Sequence, residues 1–215
     1  MSEKLNVWGQ TKHWEEACVE TRRSLTQRKR RLKLFRIKKT DRVLDLGCGD
    51  GLNIRILVQR GIKKIVGVDI SRELLREAKK INPKTKFYLA SSEALPFKGG
   101  TFDIVFVDSV FHHLMKFEAS LKEIRRVLVS GGKLCFIEPH KSFLREFYDF
   151  ISELPIAKYI SFLRARSISY LGEKKFMKHW LKNEEKFYRV LKELGFREIQ
   201  KKVDILSIIG IYEKP

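Results

Sequence analysis

The sequence predicts an α/β fold with a mixed seven-stranded sheet, helices on both faces and an antiparallel hairpin strand at the carboxyl end. Two observations carry this expectation. From residue 41 onward, short apolar runs alternate with amphipathic stretches, the pattern of right-handed crossovers that build a parallel sheet. After the last amphipathic stretch, two strand-like runs, 197–205 and 207–212, follow each other with almost nothing between them. Such neighbours pair antiparallel.

The elements follow in order. Val43-Leu44-Asp45-Leu46 reads as a buried strand ending in a glycine-rich turn, and the next helix carries Ile54, Leu57 and Val58 on one face. Lys64 to Asp69 is a second strand, and Ser71 is placed to cap a helix holding Leu74, Leu75 and Ala78. Lys86 to Leu89 and Phe102 to Val107 read as further strands. Glu118 to Leu128 reads as a helix stopped by Gly131-Gly132, and Lys133 to Glu138 as another strand. A helix over about 184–194, closed by Gly195, leads into the terminal hairpin. A single domain is expected: a basic helical extension (1–40), a core (41–140), a basic aromatic insertion or lid (141–182), and a terminal helix and hairpin (183–215).

Composition narrows the function classes. The chain has 215 residues and a formal net charge of +19. Residues 1–40 hold 12 Lys/Arg against 4 Asp/Glu and residues 141–182 hold 9 against 4, so the flanking segments carry most of the excess density. That field favours anionic partners such as RNA, an acidic membrane surface or a phosphorylated metabolite; the plain alternative is a solvated surface. The uncharged apolar stretch 205–212 is far shorter than the roughly 20 residues a membrane span needs, so no transmembrane segment is expected. Cys18, Cys48 and Cys135 show no metal-ligand or disulfide spacing. With no signal-peptide pattern at the amino end, the expectation is a cytoplasmic protein with no metal site.

The chemistry concentrates in Asp45-Leu46-Gly47-Cys48-Gly49-Asp50-Gly51, between the first strand and its helix. Glycines at alternate positions let the backbone turn sharply and approach a ligand. Asp69, at the end of the second strand, is placed to accept the hydroxyls of a ribose. A dinucleotide site has G-x-G-x-x-G and no acid facing the pyrophosphate. Here the loop reads G-x-G-x-G and Asp45 stands two residues ahead of it, which suits a cationic ligand without phosphates. The bland alternative gives Asp45 and Asp69 capping roles only.

Together VLDLGCGDG (43–51), VGVDIS (66–71), ALPFKGGTFDIVFVDSVFHHL (94–114) and LKEIRRVLVSGGKLCFIEP (121–139) resemble the class I S-adenosylmethionine-dependent methyltransferases, a Rossmann-like family. The resemblance is to the subgroup of the ubiquinone/menaquinone-biosynthesis enzymes (methyltransferase type 11) and covers roughly residues 40–140. It implies that the loop with Asp45, Gly47, Cys48, Gly49 and Gly51 holds the methionine part of S-adenosyl-L-methionine. Asp69 would then hold the ribose hydroxyls and Ile70 the adenine face. Ser91-Ser92-Glu93 falls where the family contacts the adenine amino group, with Ser91 in place of the usual acid. Asp108 would lie under the methionine. His112 and His113 are the candidate bases, with His140 and Glu138 behind them.

The acceptor is not legible in these motifs. In 141–182, Phe143, Phe147 and Phe150 recur at helical spacing, and core packing is the simplest reading of that stripe. An apolar acceptor cleft or a membrane-surface helix is the other. In the run 22–39, Leu25, Leu32 and Phe35 line one face and the cations the other, a solvated helix or a phosphate-contacting arm. A small-molecule or lipid-like acceptor, anionic if the basic segments read it, is therefore the first expectation. An RNA or protein methyltransferase is the second, and a cofactor-binding protein without turnover the third.

Overall fold

The computed structural model describes residues 25–215. It contains α1 (Leu25–Leu34), β1 (Val43–Leu46), α2 (Leu52–Gln59), β2 (Ile65–Asp69), α3 (Arg72–Ile81), β3 (Lys86–Leu89) and β4 (Phe102–Asp108). A 3-10 turn (Phe111–His113) leads to α4 (Glu118–Val127) and β5 (Leu128–Pro139). The chain ends with α5 (Phe143–Glu153), a 3-10 turn (Pro155–Lys158), α6 (Ser161–Glu193), β6 (Arg197–Val203) and β7 (Ser207–Glu213).

The seven strands lie in the order β3-β2-β1-β4-β5-β7-β6. β1 to β5 pair in parallel, and β7 runs antiparallel to both β5 and β6. β6 thus points the same way as the first five strands, and β7 alone is reversed. The expected mixed sheet is present, with its hairpin folded back so that the last strand sits inside the sheet.

Both faces of the sheet are covered, and β4 shows how. Its alternate residues Val105 and Val107 join one core with Phe117, Leu121, Trp180 and Phe187. Ile104 and Phe106 join the other with Leu32, Phe35, Ile54 and Leu57. Period-two alternation with both sides apolar is the signature of a fully buried strand. Phe187 anchors the first core, its ring 4.8–5.3 Å from those of Phe111, Phe117, Phe136 and Trp180. In β7, Gly210 lies over the Phe136 ring, and a Cβ there would overlap it. The glycine lets β7 dock against β5 beneath a buried aromatic.

Several sequence expectations are refined. Val58 is exposed, and Ile56 takes the buried position beside Ile54 and Leu57. Leu25 is also exposed, whereas Leu32 and Phe35 are buried as expected. β5 begins at Leu128 rather than Lys133; the glycines 131–132 lie in a register shift against β4 instead of separating helix from strand. α6 runs unbroken for 33 residues across position 182, so the segments 141–182 and 183–215 share one helix. The largest correction concerns α5. Phe143 (81% exposed), Phe147 and Phe150 (60%) face outward, while Arg145, Asp149 and Ser152 are buried. Polar groups hold the inner side: Arg145 Nε donates to Asp149 Oδ2 at 3.0 Å, Nη1 to the Leu206 carbonyl at 3.1 Å, and Ser167 Oγ to the Ser152 carbonyl at 2.7 Å. Sequence periodicity identifies a stripe but not which side of it the protein buries. Cys18 and the other residues before 25 lie outside the described residues.

Candidate functional site

The strand order reverses between β1 and β4, and open α/β sheets place ligands at the carboxyl ends of strands beside such a switch. Three loops converge there: the glycine loop after β1, the end of β2, and the turn after β4.

In the glycine loop, Gly47, Gly49 and Gly51 have φ of +70°, +52° and +75°. A Cβ on Gly47 would overlap the Val110 side chain from the β4 loop. The loop is therefore left-handed at its three glycines and closely packed against the β4 loop. The Cys48 side chain packs inward against Gly67 of β2, and burial pushes its thiol far above the ordinary range. Only its backbone is offered to a ligand, and nucleophilic chemistry is not.

Asp69 is clamped by backbone amides: Gly49 N–H donates to Oδ2 and Ser71 N–H to Oδ1, both at 2.9 Å. These bonds fix its carboxylate at the mouth of the loop and tie β2 to the cradle. Ile70 beside it is exposed. Beyond β3, Ser91 Oγ accepts from the Glu93 N–H at 3.2 Å, whereas the Ser92 hydroxyl is buried and pairs with Ser120 Oγ at 2.7 Å. Ser91 and Glu93 remain at the surface, and Ser92 turns into the protein.

Asp45 is 1% exposed, and its Oδ2 has no hydrogen-bond partner among the described residues. Burial first, then the neighbouring Asp108, pushes its carboxyl well above the usual range, with Arg28 opposing. A carboxylate kept dry and unsatisfied is costly for the free protein. Asp108 has donors instead: Ser109 Oγ to Oδ1 at 3.1 Å, Asn53 Nδ2 to Oδ2 at 3.1 Å, and Arg28 Nη1 to the same oxygen at 3.4 Å. Arg28 also donates to Asn53 Oδ1 at 2.8 Å. Arg28 and Asn53 join this group through Asp108, and sequence reasoning did not single them out. Asn53 stands two residues after Gly51 on the first turn of α2, and that position was the available signal. Arg28 lies inside the run Arg28-Lys29-Arg30-Arg31, where nothing local marks one cation from the next.

Past β4, Ser109 takes a left-handed conformation, φ +62°, and the turn it starts aims successive amides at Glu138. Val110 and Phe111 N–H donate to Glu138 Oε1 at 2.7 Å, and His112 N–H to Oε2 at 3.3 Å. His112 Nδ1 pairs with Oε2 at 2.7 Å, and its Nε2 lies 3.8 Å from Glu173 of α6. Burial lowers the affinity of His112 for a proton, but Glu138 and Glu173 outweigh it and raise its pKa to about 9. His112 is thus an imidazolium at neutral pH. His113 packs against it with the rings tilted by 39° and their centroids 3.8 Å apart, and makes an edge-type contact with Phe176. His140 pairs through Nδ1 with Glu184 at 2.7 Å, and Trp180 Nε1 donates to the Pro139 carbonyl at 2.8 Å. Glu138 is accordingly a clasp for the β4 loop, and His140 a tether for α6.

The geometry brings Asp45, the glycine loop, Asp69 and Asp108 to one cleft. His112 and His113 lie in the turn just past Val110, against α6, and the Ser92 hydroxyl and the Cys48 side chain turn into the protein.

Comparison with known proteins bears on this arrangement. Residues 44–136 match the model of a methyltransferase domain family. An uncharacterized methyltransferase of Schizosaccharomyces pombe is 40% identical over 114 residues, covering 46% of this chain and 40% of that protein. A ubiquinone/menaquinone biosynthesis C-methyltransferase of Wigglesworthia glossinidia brevipalpis is 36% identical over 140 residues, 60% of this chain and 56% of its own length. The chain therefore spans about half the length of these relatives. Among solved structures, a methyltransferase from Aquifex aeolicus superposes with a TM-score of 0.62 at 18% identity, covering 87% of this chain and 89% of that one, a likeness of fold.

Proposed function

We propose that this chain, whose residues 44–136 match a methyltransferase domain family, is a class I S-adenosylmethionine-dependent methyltransferase that transfers a methyl group to a small, lipid-like acceptor. The observation that carries the cofactor reading is the Asp45 carboxylate, buried and with an oxygen left unbonded behind a glycine cradle. Such a group fits a cationic ligand that supplies the missing donors, and an ammonium on an amino-acid moiety does so. Pyrophosphate would meet the charges of Asp45, Asp50, Asp69 and Asp108 and be repelled.

The residues divide the ligand among them. Asp45 and the backbone of Gly47–Gly51 hold the amino-acid end, and Arg28 offers the complementary cation for its carboxylate. Asp69, pre-set by the Gly49 and Ser71 amides, receives the ribose hydroxyls. Ile70 packs on the adenine face and Ser91 and Glu93 line its edge, while Asp108 closes the floor. When bound, S-adenosylmethionine supplies an electrophilic sulfonium methyl, so the chain's main tasks are alignment and exclusion of water. A proton leaving the acceptor goes to His113. His112 cannot take it, because its imidazole already carries a proton between Glu138 and Glu173; it positions its neighbour through their close ring contact. His140 positions α6.

The relatives' names support the acceptor class: a quinone-biosynthesis C-methyltransferase and, in Legionella pneumophila, a malonyl-[acyl-carrier protein] O-methyltransferase 37% identical over 99 residues. Calorimetric titration tests the cofactor reading. S-adenosylmethionine is expected to bind one to one and NADH not at all, with Asp69→Ala binding about tenfold or more weakly through the loss of two hydrogen bonds to a charged group. Binding of NADH in place of S-adenosylmethionine would turn the reading toward a nicotinamide enzyme.

A further inference from the structure

The outward face of α5 has no part in the site described above. Within residues 143–159, Phe143, Leu144, Phe147, Phe150, Leu154, Ile156 and Tyr159 are all exposed. This is an amphipathic helix mounted with its apolar side to solvent, and the orientation is enforced. Its polar side is bonded to α6 and to the β6–β7 turn through Arg145, Asp149 and Ser152, so turning it over would strand those groups. A contiguous apolar surface of this kind marks an interaction site.

The patch continues onto the β6–β7 turn. Ser142 Oγ donates to the Ile205 carbonyl and Arg145 to that of Leu206, and Val203, Ile205 and Leu206 are exposed beside α5. The same edge carries α1. Arg31 Nη2 donates to Ser207 Oγ at 3.4 Å, which sets the helix next to the turn. Leu25–Leu34 holds five Lys/Arg and no acid, with Lys29, Arg30 and Lys33 exposed. Phenylalanines and aliphatic side chains flanked by exposed basic residues are the composition of a surface that lies in the headgroup region of an anionic bilayer. No described helix is long and apolar enough to cross a membrane, so contact would be made from one side.

We infer that the chain docks on anionic membrane surfaces through the outward face of α5 and the β6–β7 turn, with α1 supplying the electrostatic attraction. All three elements lie at the carboxyl edge of the sheet: Arg28 of α1 reaches Asp108 at the end of β4, Ser207 after the β6–β7 turn pairs with Pro139 at the end of β5, and α5 is bonded to that turn. Docked this way, the cleft faces the bilayer and a lipid-like acceptor reaches it without crossing water. The inference rests on the proposed methyl transfer for the identity of its cargo, and on the surface alone for the docking.

Flotation of the purified chain with phosphatidylcholine vesicles, with and without phosphatidylglycerol, tests it. Calorimetric titration with S-adenosylhomocysteine is run in parallel. Binding is expected to the anionic vesicles and to weaken with salt. Phe147→Ser/Phe150→Ser should lower it about tenfold or more, and Lys29→Glu/Arg30→Glu/Lys33→Glu should do likewise. Both variants should keep wild-type melting temperature and S-adenosylhomocysteine affinity. Absence of vesicle binding, vesicle binding unaffected by the phenylalanine substitutions, or a wild-type dimer that those substitutions dissolve would overturn the inference. Failure to bind S-adenosylhomocysteine alongside intact flotation would instead fault the methyltransferase reading.

Discussion

Asp45→Asn is expected to move stability and binding in opposite directions. The free variant melts a few degrees higher than wild type, and its affinity for S-adenosylmethionine falls about a hundredfold. The first effect follows from the environment of the carboxylate. Asp45 is fully enclosed, one oxygen lacks a hydrogen-bond partner among the described residues, and Asp108 repels its charge. Its pKa in the folded chain is raised, so ionisation at neutral pH is unfavourable to folding, and the fold gains as pH falls and the group protonates. A neutral amide of the same shape removes that cost at pH 7. The second effect follows because the charge that burdens the free protein is what a cationic ligand pairs with. Thermal unfolding and calorimetry on the same preparations check both. A variant that is less stable, or one that binds as tightly as wild type, would assign Asp45 a purely structural role in the turn.

The second large effect concerns His112. Its folded pKa is about 9 against about 6.5 for a free imidazole. A cation gaining partners on folding adds stability that is fully present below about pH 6.5 and is lost as pH rises through 9. The size of the contribution is on the order of 3 kcal/mol. His112→Gln lacks this proton, so it should be less stable than wild type by that order at pH 6, with the gap closing by pH 10. Urea unfolding at the two pH values measures the difference directly. A gap of equal size at both would show that His112 acts by packing and hydrogen bonding rather than as the cation between Glu138 and Glu173.

Much of the sheet was legible because its strands are short, apolar and punctuated by glycine, and periodicity reports burial on both faces. That Asp45, the glycine loop and Asp69 come together was legible for the same reason: they are set by local positions on successive strands. What escaped was fixed by distant contacts. Arg28 reaches Asp108 across 80 positions of sequence, and Glu173 meets His112 only because α6 passes over the β4 loop. The inversion of α5 was hidden because its inner side is held by hydrogen bonds to α6 and the hairpin, which a count of apolar residues reads backwards. Ser92 looked like part of the adenine edge by its place in a motif, and its hydroxyl went instead to Ser120.

The central claim is methyl transfer, and its most direct test is label. Purified protein is incubated with methyl-labelled S-adenosylmethionine and a cell extract, Asp69→Ala serves as control, and the products are partitioned between organic solvent and water. Label entering the organic phase with wild type, and falling sharply with Asp69→Ala, is the predicted result. Label that stays in the aqueous phase and is released by nuclease would contradict the lipid-like acceptor, and no incorporation above the control would contradict the activity itself.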